Sequence, residues 1–305
     1  MAVSLLLRQR LLFAFVCFTW GVNWAAMKIG VTTVPPGFFS GTRWTVAGLV
    51  LIAWRLGNGL SWKVPLRLLP RLTLLAVMLI SLNAVIMLYG LRYVSSGLAS
   101  VISSALTPIG LLGFSILLGQ ERFNLRQAGA IALGVVGMLV LYGPKALSGH
   151  LGLAEFLGVI GIIVGNLSYC FGSVLSRPMM RMISPAQLAA TTNLIGGAIL
   201  LVLSIAFEPG VGAVITGNWG WPAWLGWLFM VLAGSLGATI IYFFLMRDWG
   251  ASRTGSYAFI SPVIAVATGV VLLDEHVDAV EAAGMVLMLA AAWLVLRRPA
   301  EPGAA

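Results

Sequence analysis

The sequence predicts an all-α integral membrane protein with ten transmembrane helices, arranged as two inverted repeats of five helices. Three observations support this fold class. Of the 305 residues, 60% are apolar and only 9% are charged, whereas a soluble domain averages about 25% charged residues. The apolar residues form ten runs of about bilayer-crossing length. Finally, several features of the first half of the chain recur in the second half.

The first five predicted helices are 11–30, 37–54, 72–91, 94–118 and 127–143. The first apolar run is too long for a cleaved signal peptide, and no small-x-small cleavage site follows it. The second run contains a cation, Arg43. The loop before the third, residues 55–71, mixes cations with Leu, Trp and Pro and is expected to lie along the membrane interface. Pro108 interrupts the fourth run, and the fifth has the glycine content of a close-packed helix.

The second five predicted helices are 153–175, 186–207, 222–246, 251–273 and 281–296. The sixth and seventh carry Asn166 and Asn193 among apolar residues. The eighth follows a Gly- and Trp-rich segment, residues 210–224, as expected where aromatic side chains meet lipid headgroups. Pro262 interrupts the ninth, in the way that Pro108 interrupts the fourth.

The lysines and arginines predict which side of the membrane each loop occupies. With the N terminus in the cytoplasm, fourteen of the eighteen cations fall on the cytoplasmic side and three, Lys28, Arg92 and Lys145, fall outside. Cytoplasmic loops carry the excess of Lys and Arg in membrane proteins, so both termini are expected in the cytoplasm. The cations flank apolar runs and form no basic face. We therefore expect no nucleic-acid partner, despite the net charge of +9.

The cysteines and histidines indicate no redox or metal chemistry. Cys17 and Cys170 both lie in apolar runs, where a cysteine acts as a small core residue, and not in the exposed clusters that a disulfide framework needs. The chain has only two histidines, and no metal-ligand spacing such as CxxC or HExxH occurs. No metal ion and no cofactor are therefore expected.

An internal repeat relates the two halves of the chain. At an offset of 149 residues "WGVNWAAMK" (20–28) aligns with "YCFGSVLSR" (169–177), and at an offset of 154 "SALTPIG" (104–110) aligns with "AFISPVI" (258–264). The aligned pairs are Trp20 with Tyr169, Lys28 with Arg177, Pro36 with Pro185, Gly48 with Gly197, Pro108 with Pro262, and Gln120-Glu121 with Asp274-Glu275. We therefore predict two repeats, residues 1–145 and 151–300.

A repeat of five helices has a definite geometric consequence. Because five is an odd number, the second repeat must enter the membrane from the opposite side, and a pseudo-twofold axis in the membrane plane then relates the repeats. Inverted repeats of this kind are typical of secondary transporters, whose substrate site lies near the bilayer midplane between the repeats. The arrangement suits alternating access, since each repeat can adopt the conformation of the other.

The repeated motifs resemble a known family. "WGVNWAAMK" (20–28), "TPIGLLGFSILLGQERFNLRQAGAIALGVVGMLVL" (107–141) and "SPVIAVATGVVLLDEHVDAVEAAGMVLML" (261–289) resemble the two repeats of EamA-type exporters in the drug/metabolite transporter superfamily. In the family pattern a Ser/Thr-Pro leads through an apolar helix to an acidic pair, and a Gly-rich helix follows. The resemblance covers about residues 10–300 and is similar in helix layout to aromatic and neutral amino-acid exporters.

This resemblance implies a multi-pass transporter of the bacterial inner membrane. Its partners would be a small-molecule substrate and the lipid bilayer, and we expect it to act as a monomer. Polar side chains inside membrane helices are costly, so those in the predicted helices are candidates for substrate contact. The predicted binding residues are Trp20, Asn23, Trp24, Arg43, Asn83, Ser103, Tyr169, Asn193 and Tyr257. For a serine such as Ser103, a hydrogen bond to a neighbouring helix is the alternative role.

Pro108 and Pro262 are predicted to shape their helices. Each proline removes one backbone hydrogen bond from a helix interior, and we expect a kink or a hinge at each position. Substrate contact by the freed carbonyl group is the alternative.

Arg43 is the one cation well inside a predicted helix. It lies about seven residues from the outer end, roughly 10 Å deep at about 1.5 Å per residue. Two interpretations are open. The side chain either extends along the helix to the membrane interface, or it faces a central cavity and binds a substrate carboxylate through charge-assisted hydrogen bonds. Its partner in the repeat, Thr192, is uncharged.

The function predicted from these observations is export of amino acids or related small metabolites by alternating access. The nine acidic residues all fall in loops or at helix ends, whereas proton-coupled transporters usually carry an intramembrane Asp, Glu or His. Facilitated diffusion is therefore expected. The alternative is a drug or toxic-cation exporter, which could be proton-coupled. No predicted helix places a base beside a nucleophile, and no carbonyl filter loop occurs, so neither an enzyme nor an ion channel is expected.

Overall fold

A computed structural model describes residues 5–85, 96–146, 152–273 and 278–296 of the chain. Within these residues the regular structure is entirely helical, as predicted. The long helices are labelled α1 (Leu5–Gly30), α2 (Pro36–Gly57), α3 (Leu66–Val85), α4 (Ser96–Leu117), α5 (Leu125–Ala146), α6 (Leu153–Met179), α7 (Pro185–Phe207), α8 (Trp221–Trp249), α9 (Tyr257–Leu273) and α10 (Ala279–Leu296). Residues 86–91 of the predicted third helix, residues 94–95 of the fourth, Arg92 and the acidic pair Asp274-Glu275 lie outside the described residues.

Two predicted helix boundaries are wrong. Helix α1 begins at Leu5, six residues before the predicted start, because arginine is a good helix former and a cationic segment does not end a helix. The predicted ninth helix, 251–273, is divided into a short helix Ala251–Gly255 and α9. Between them Ser256 N donates to Arg253 O, and Phe259 N donates to Ser256 O. Each of these bonds spans three residues instead of four, which interrupts the α-helical hydrogen-bond pattern.

Six helices of the described part are long and apolar enough to cross a membrane. They are Leu5–Met27, Leu66–Val85, Leu153–Met179, Pro185–Phe207, Trp221–Trp249 and Ala279–Leu296. Shorter apolar stretches, Ile102–Leu117 and Leu125–Val140, lie in α4 and α5. Many large apolar side chains cover the outside of the molecule, among them Phe18, Val202 and Val286, which are all more than half exposed. Such a surface suits lipid, whose tails are as apolar as leucine.

Helices α2 and α7 pack closely at positions that the predicted repeat makes equivalent. Gly48 lies against the backbone of Leu194, and Gly197 lies against the backbone of Thr45. A Cβ atom would lie 2.5 Å from Leu194 N if built on Gly48, and 2.4 Å from Thr45 N if built on Gly197. At the offset of 149, Gly48 corresponds to Gly197 and Thr45 corresponds to Leu194. This is the reciprocal pattern that a twofold axis between the helices produces.

Two other helix crossings, α1 with α9 and α4 with α6, are also equivalent to each other. In the first, Gly21 of α1 lies against Ile264 of α9, and in the second, Gly110 of α4 lies against Cys170 of α6. Gly21 corresponds to Cys170 at the offset of 149, and Gly110 corresponds to Ile264 at the offset of 154. The glycine therefore sits on opposite members of the two crossings.

Helices α3 and α8 each contain a π-helical segment, in which backbone hydrogen bonds run between residues five apart. The segments are Val77–Ser81 in α3 and Met230–Ala238 in α8. Their first residues are 153 positions apart, so they occupy equivalent places in the predicted repeats. Segments of this kind frequently occur at functional sites.

The N-termini of α2 and α7 are stabilised in different ways. Ser184 precedes α7 and forms a capping box with Gln187, in which each side chain accepts a hydrogen bond from the backbone N–H of the other residue. Helix α2 has no side-chain cap from the residue before it. Instead Glu208, at the end of α7, accepts hydrogen bonds from Gly37 N and Phe38 N, both at 3.0 Å. A carboxylate is favourable there because the first N–H groups of a helix carry a partial positive charge.

Arg55 is held at the other end of α2. Its guanidinium group is buried and donates to the Ser61 carbonyl, from Nη2 at 2.6 Å and from Nε at 3.1 Å. Nη1 donates to Ser184 Oγ at 3.3 Å. All three nitrogens of this buried cation therefore have a partner, and together they join the loop after α2 to the start of α7.

Candidate functional site

A cavity of about 290 Å³ lies between the helices. All the labelled helices except α5 and α10 contribute residues to its lining, as far as the described residues show. The volume is close to the lower limit of about 300–1,000 Å³ that ligand pockets usually have. The polar and aromatic lining residues are Trp20, Asn23, Arg43, Trp44, Asn83, Ser103, Ser104, Thr107, Asn166, Tyr169, Thr192, Asn193, Thr239, Tyr242, Phe243, Tyr257 and Ser261.

The structure brings most of the predicted binding residues together in this cavity. Those that line it are Trp20, Asn23, Arg43, Asn83, Ser103, Tyr169, Asn193 and Tyr257. The side chain of the remaining one, Trp24, lies outside the described part of the structure. That these residues bind substrate stays a prediction.

Arg43 is a buried cation without an ionic partner. Its side chain is 8% exposed, its Nε has no hydrogen-bond partner, and no carboxylate of the described residues forms an ion pair with it. The Cζ atom lies 4.3 Å from the centroid of the Trp44 ring, within the range of a cation–π contact. Of the two interpretations above, this geometry matches the side chain that faces the cavity. The cavity thus contains a positive charge that a bound anion could neutralise.

Four aromatic rings form one wall of the cavity, which we call the aromatic wall: Trp20, Tyr169, Tyr242 and Tyr257. The Trp20 ring lies 5.1 Å from the Tyr242 ring and 4.5 Å from the Tyr257 ring, measured between centroids. Tyr169 stacks on Tyr242 at 6.2 Å, and Tyr257 Oη donates a hydrogen bond to Tyr169 Oη at 3.2 Å. Offset and edge-to-face contacts of this kind stabilise one another. The wall therefore offers a preformed apolar surface.

Two asparagines of the lining are occupied by hydrogen bonds between helices. Asn166 Nδ2 donates to Thr107 Oγ1 at 3.0 Å and to the Ser103 carbonyl at 3.1 Å, which joins α6 to α4. Asn83 Nδ2 donates to the Gly165 carbonyl at 2.9 Å, which joins α3 to α6. For these two side chains the structure shows a packing role, in addition to their position in the cavity.

Other polar atoms of the lining are buried without a partner. They are Asn23 Oδ1, Ser103 Oγ, Asn193 Oδ1 and Tyr242 Oη. The Asn193 side chain joins α7 to α8, since Nδ2 donates to the Ser235 carbonyl at 3.0 Å, but its oxygen stays free. Gly234 leaves room for Asn23, because a Cβ atom there would lie 3.1 Å from Asn23 Nδ2. A buried acceptor without a donor is unfavourable, so N–H or O–H groups of a ligand would stabilise these oxygens.

The two prolines lie inside α4 and α9, as predicted. Pro262 lines the cavity, and Pro108 is buried beside it. Since proline has no N–H, the carbonyl group four residues earlier loses its helical partner. Those residues are Ser104 and Ala258, and both line the cavity. A hinge and a substrate contact by these carbonyls both remain predictions.

Sequence reasoning missed several lining residues. These include Trp44, Thr192, Thr239, Tyr242 and Phe243. Thr192 had a usable signal, because it is the repeat partner of Arg43. Tyr242 and Phe243 lie in an apolar run where nothing distinguishes them from lipid-facing aromatic residues.

Comparison with known families decides the class of the protein. The sequence profile of the EamA-like transporter family matches residues 8–143 and residues 156–297. The chain belongs to the EamA-like transporter family. The resemblance seen in the sequence motifs is thus confirmed, and this EamA protein is a multi-pass membrane transporter.

Several relatives of this EamA protein are also described as transporters. The uncharacterized inner membrane transporter YedA of Escherichia coli strain K12 is 30% identical over 270 residues, which are 86% of this chain and 82% of YedA. The uncharacterized transporter YvbV of Bacillus subtilis strain 168 is 28% identical over 94% of this chain and 91% of YvbV. A solved crystal structure matches with a TM-score of 0.79 at 20% identity, over 94% of this chain and 96% of the other. That likeness concerns the fold alone.

Proposed function

We propose that the protein exports amino acids or related small metabolites across the bacterial inner membrane by facilitated alternating access. The observation that carries this proposal is the cavity, since α1–α4 line it from one side and α6–α9 from the other. Transporters with inverted repeats bind their substrate between the repeats, near the bilayer midplane. In this cavity Arg43 would bind a carboxylate, and the aromatic wall would contact an apolar side chain.

The proposal includes ten membrane-spanning helices, inverted repeats at residues 1–145 and 151–300, and both termini in the cytoplasm. Its support is the reciprocal packing of Gly48 and Gly197, the equivalent crossings of α1 with α9 and of α4 with α6, and the matching π segments. The excess of cations in the predicted cytoplasmic loops supports the orientation. Pro108 and Pro262 would let α4 and α9 bend where they border the cavity as the repeats exchange conformations.

Transport by the purified protein in liposomes tests the substrate class. We expect a panel of radiolabelled amino acids to include at least one that enters the proteoliposomes faster than protein-free liposomes. Arg43→Gln should abolish this uptake while the protein still reconstitutes normally. If no amino acid enters and none shifts the melting temperature of the protein in detergent, the amino-acid substrate is wrong.

A proton ionophore tests the facilitated mechanism in the same vesicles. Uptake should be unchanged when the ionophore removes the pH gradient. Strict dependence of uptake on an imposed pH gradient would contradict a facilitated mechanism.

One observation favours a second candidate, the export of organic cations. The ring faces of the aromatic wall attract cations, although the charge of Arg43 in the same cavity repels them. A lipophilic cation that competes with amino-acid uptake, and that enters faster after Arg43→Gln, would support this second function.

A further inference from the structure

We propose that the substrate is a monoanion with an aromatic or other bulky apolar body, and that the membrane potential drives its export. This inference rests on the proposed transport function, to which it adds the net charge of the substrate and the driving force.

The first observation is a difference between two arginines of α2. Arg43 and Arg55 are both 8% exposed. Arg55 donates hydrogen bonds from all three of its nitrogens, to Ser61 and Ser184. Arg43 Nε has no partner, although the side chain is just as buried. Because an uncompensated buried charge is strongly destabilising, the partner that Arg43 lacks is an anion that enters the cavity.

The second observation is that the other free groups of the cavity are neutral acceptors. Asn23 Oδ1 and Asn193 Oδ1 can accept a hydrogen bond from a hydroxyl or amide group, but they carry no charge. A carboxylate bound at Arg43 makes the described lining and its ligand electrically neutral together. A zwitterion would leave one uncompensated positive charge, that of its ammonium group. Since burial of a net charge is unfavourable, the monoanion is the better ligand.

The aromatic wall and the size of the cavity define the rest of the substrate. The rings of Trp20, Tyr242 and Tyr257 lie 4.5–6.0 Å from one another and form a continuous apolar surface. Stacked or edge-to-face contact with such rings favours an aromatic ligand. A volume of about 290 Å³ restricts the ligand to a small molecule. An aromatic monocarboxylate satisfies the charge, the wall and the size.

The charge of the substrate determines the driving force. One transport cycle returns the empty protein to its starting state, so the net charge moved is that of the substrate, whatever path Arg43 follows. Export of a monoanion from an inside-negative cell is favourable by about 2.3 kcal/mol per 100 mV. At about 1.4 kcal/mol per tenfold change, this corresponds to an outward accumulation of about 45-fold. An uncoupled carrier of monoanions therefore acts as a concentrating exporter.

Three probes with the same phenyl group and different charges test the inference. They are phenylpyruvate, a monoanion; phenylalanine, a zwitterion; and 2-phenylethylamine, a cation. The full chain is reconstituted in liposomes, and potassium gradients with valinomycin set the membrane potential. Vesicles that are positive inside by 100 mV should accumulate phenylpyruvate up to about 45-fold, and vesicles of the opposite polarity should exclude it. Phenylalanine uptake should be at least tenfold slower and should not respond to the potential.

Two arginine variants connect this behaviour to the cavity. Arg43→Gln should reduce phenylpyruvate uptake at least tenfold, whereas Arg43→Lys should keep the response to polarity. Arg55→Gln is the matched control, because it removes an equally buried arginine of the same helix that does not line the cavity. It should lower the melting temperature of the protein and leave the preference for phenylpyruvate unchanged.

Several outcomes would overturn the inference. Phenylalanine uptake as fast as phenylpyruvate uptake, and independent of potential, would identify a zwitterion carrier and leave the proposed function intact. A preference for 2-phenylethylamine would replace the monoanion with an organic cation. Unchanged phenylpyruvate uptake by Arg43→Gln would show that this arginine does not select the charge. If neither these probes nor any amino acid is transported, the proposed function fails as well.

Discussion

The crossing of α1 with α9 and the crossing of α4 with α6 occupy equivalent places, but they achieve close contact with different residues. In the first, Gly21 allows Ile264 to approach. In the second, the glycine is on the other helix, where Gly110 allows Cys170 to approach. The close approach is the same, whereas the residue that permits it has changed sides. Helix packing therefore constrains the pair of residues, and either member can supply the missing side chain.

The two crossings also differ in polarity. The first has one hydrogen bond, from Ser261 Oγ to the Cys17 carbonyl at 3.2 Å. At the equivalent positions of the second, Asn166 replaces Cys17 and Thr107 replaces Ser261, and Asn166 Nδ2 donates to Thr107 Oγ1 at 3.0 Å as well as to a backbone carbonyl. The same skeleton thus presents an aromatic and apolar contact on one side of the cavity and a hydrogen-bonded contact on the other. A cavity with unlike walls can then form between two similar halves.

The largest effect is expected from Gly21→Ala, which breaks the first crossing. The new Cβ would lie 2.7 Å from Ile264 Cβ and 2.9 Å from the Ser261 carbonyl oxygen, and a backbone oxygen cannot move without shifting its helix. We expect a loss of about 3 kcal/mol of unfolding free energy, at the upper end of overpacking effects. Unfolding by denaturant titration in mixed micelles measures it.

Gly129→Ala is the control for this substitution. A Cβ at Gly129 meets nothing within 4 Å, so the stability should stay the same or rise slightly. A loss at Gly21 no larger than the change at Gly129 would contradict the close packing of the first crossing.

The second largest effect is expected from Gly110→Ala, which breaks the second crossing. Its Cβ would lie 2.9 Å from Cys170 Sγ, and no backbone atom is involved. We therefore expect a smaller loss of about 1–2 kcal/mol. Addition of Cys170→Gly gives the second crossing the arrangement of the first. In the double-mutant cycle the two substitutions should be coupled by at least about 1 kcal/mol, and strictly additive losses would disagree with the equivalence of the crossings.

A moderate effect is expected from Asn166→Ala, compared with Ser261→Ala at the other crossing. Hydrogen bonds between membrane helices contribute about 0.6 kcal/mol each on average. Asn166 donates two such bonds and Ser261 donates one, so the losses should be about 1.2 and 0.6 kcal/mol. The same micelle titration measures both. Equal losses would mean that the difference in polarity between the crossings does not affect stability.

The smallest effect is expected from Tyr257→Phe, which removes the hydrogen bond between Tyr257 and Tyr169 across the aromatic wall. The ring contacts with Trp20 and Tyr242 remain, so the loss should be about 0.5 kcal/mol. Tyr169→Phe should add almost nothing to it, since the bond is already absent. A loss above about 1.5 kcal/mol would indicate that the hydroxyl group has a further partner.

The sequence predicted the helices and the pairing of α2 with α7 well, because long apolar runs and aligned glycines are visible without a structure. It did not predict the turn at Ser256, where local hydrogen bonds interrupt an apolar run that shows no change in composition. It also did not predict the π segments Val77–Ser81 and Met230–Ala238, since an apolar run reads alike whether the helix is α or π.

The candidate site was predicted in its composition and not in its hydrogen bonding. Arg43 and Asn23 were recognisable because polar groups are rare inside membrane helices. However, Asn23 and Asn166 look alike in the sequence. The structure shows that Asn166 is bonded to α4, whereas Asn23 Oδ1 is free. That difference depends on which helix lies opposite each side chain, and this is set by tertiary packing.

The π segments make the lengths of α3 and α8 as important as their composition. A π turn holds more backbone than an α turn on the same path. Deletion of one residue from Val77–Ser81 would let α3 return to α-helical bonding and would rotate everything beyond by about 100°. Asn83 would then turn away from the Gly165 carbonyl, and a deletion in Met230–Ala238 would turn Tyr242 out of the aromatic wall. The protein should therefore accept apolar substitutions in both segments, whereas a change of one residue in length would dismantle the cavity.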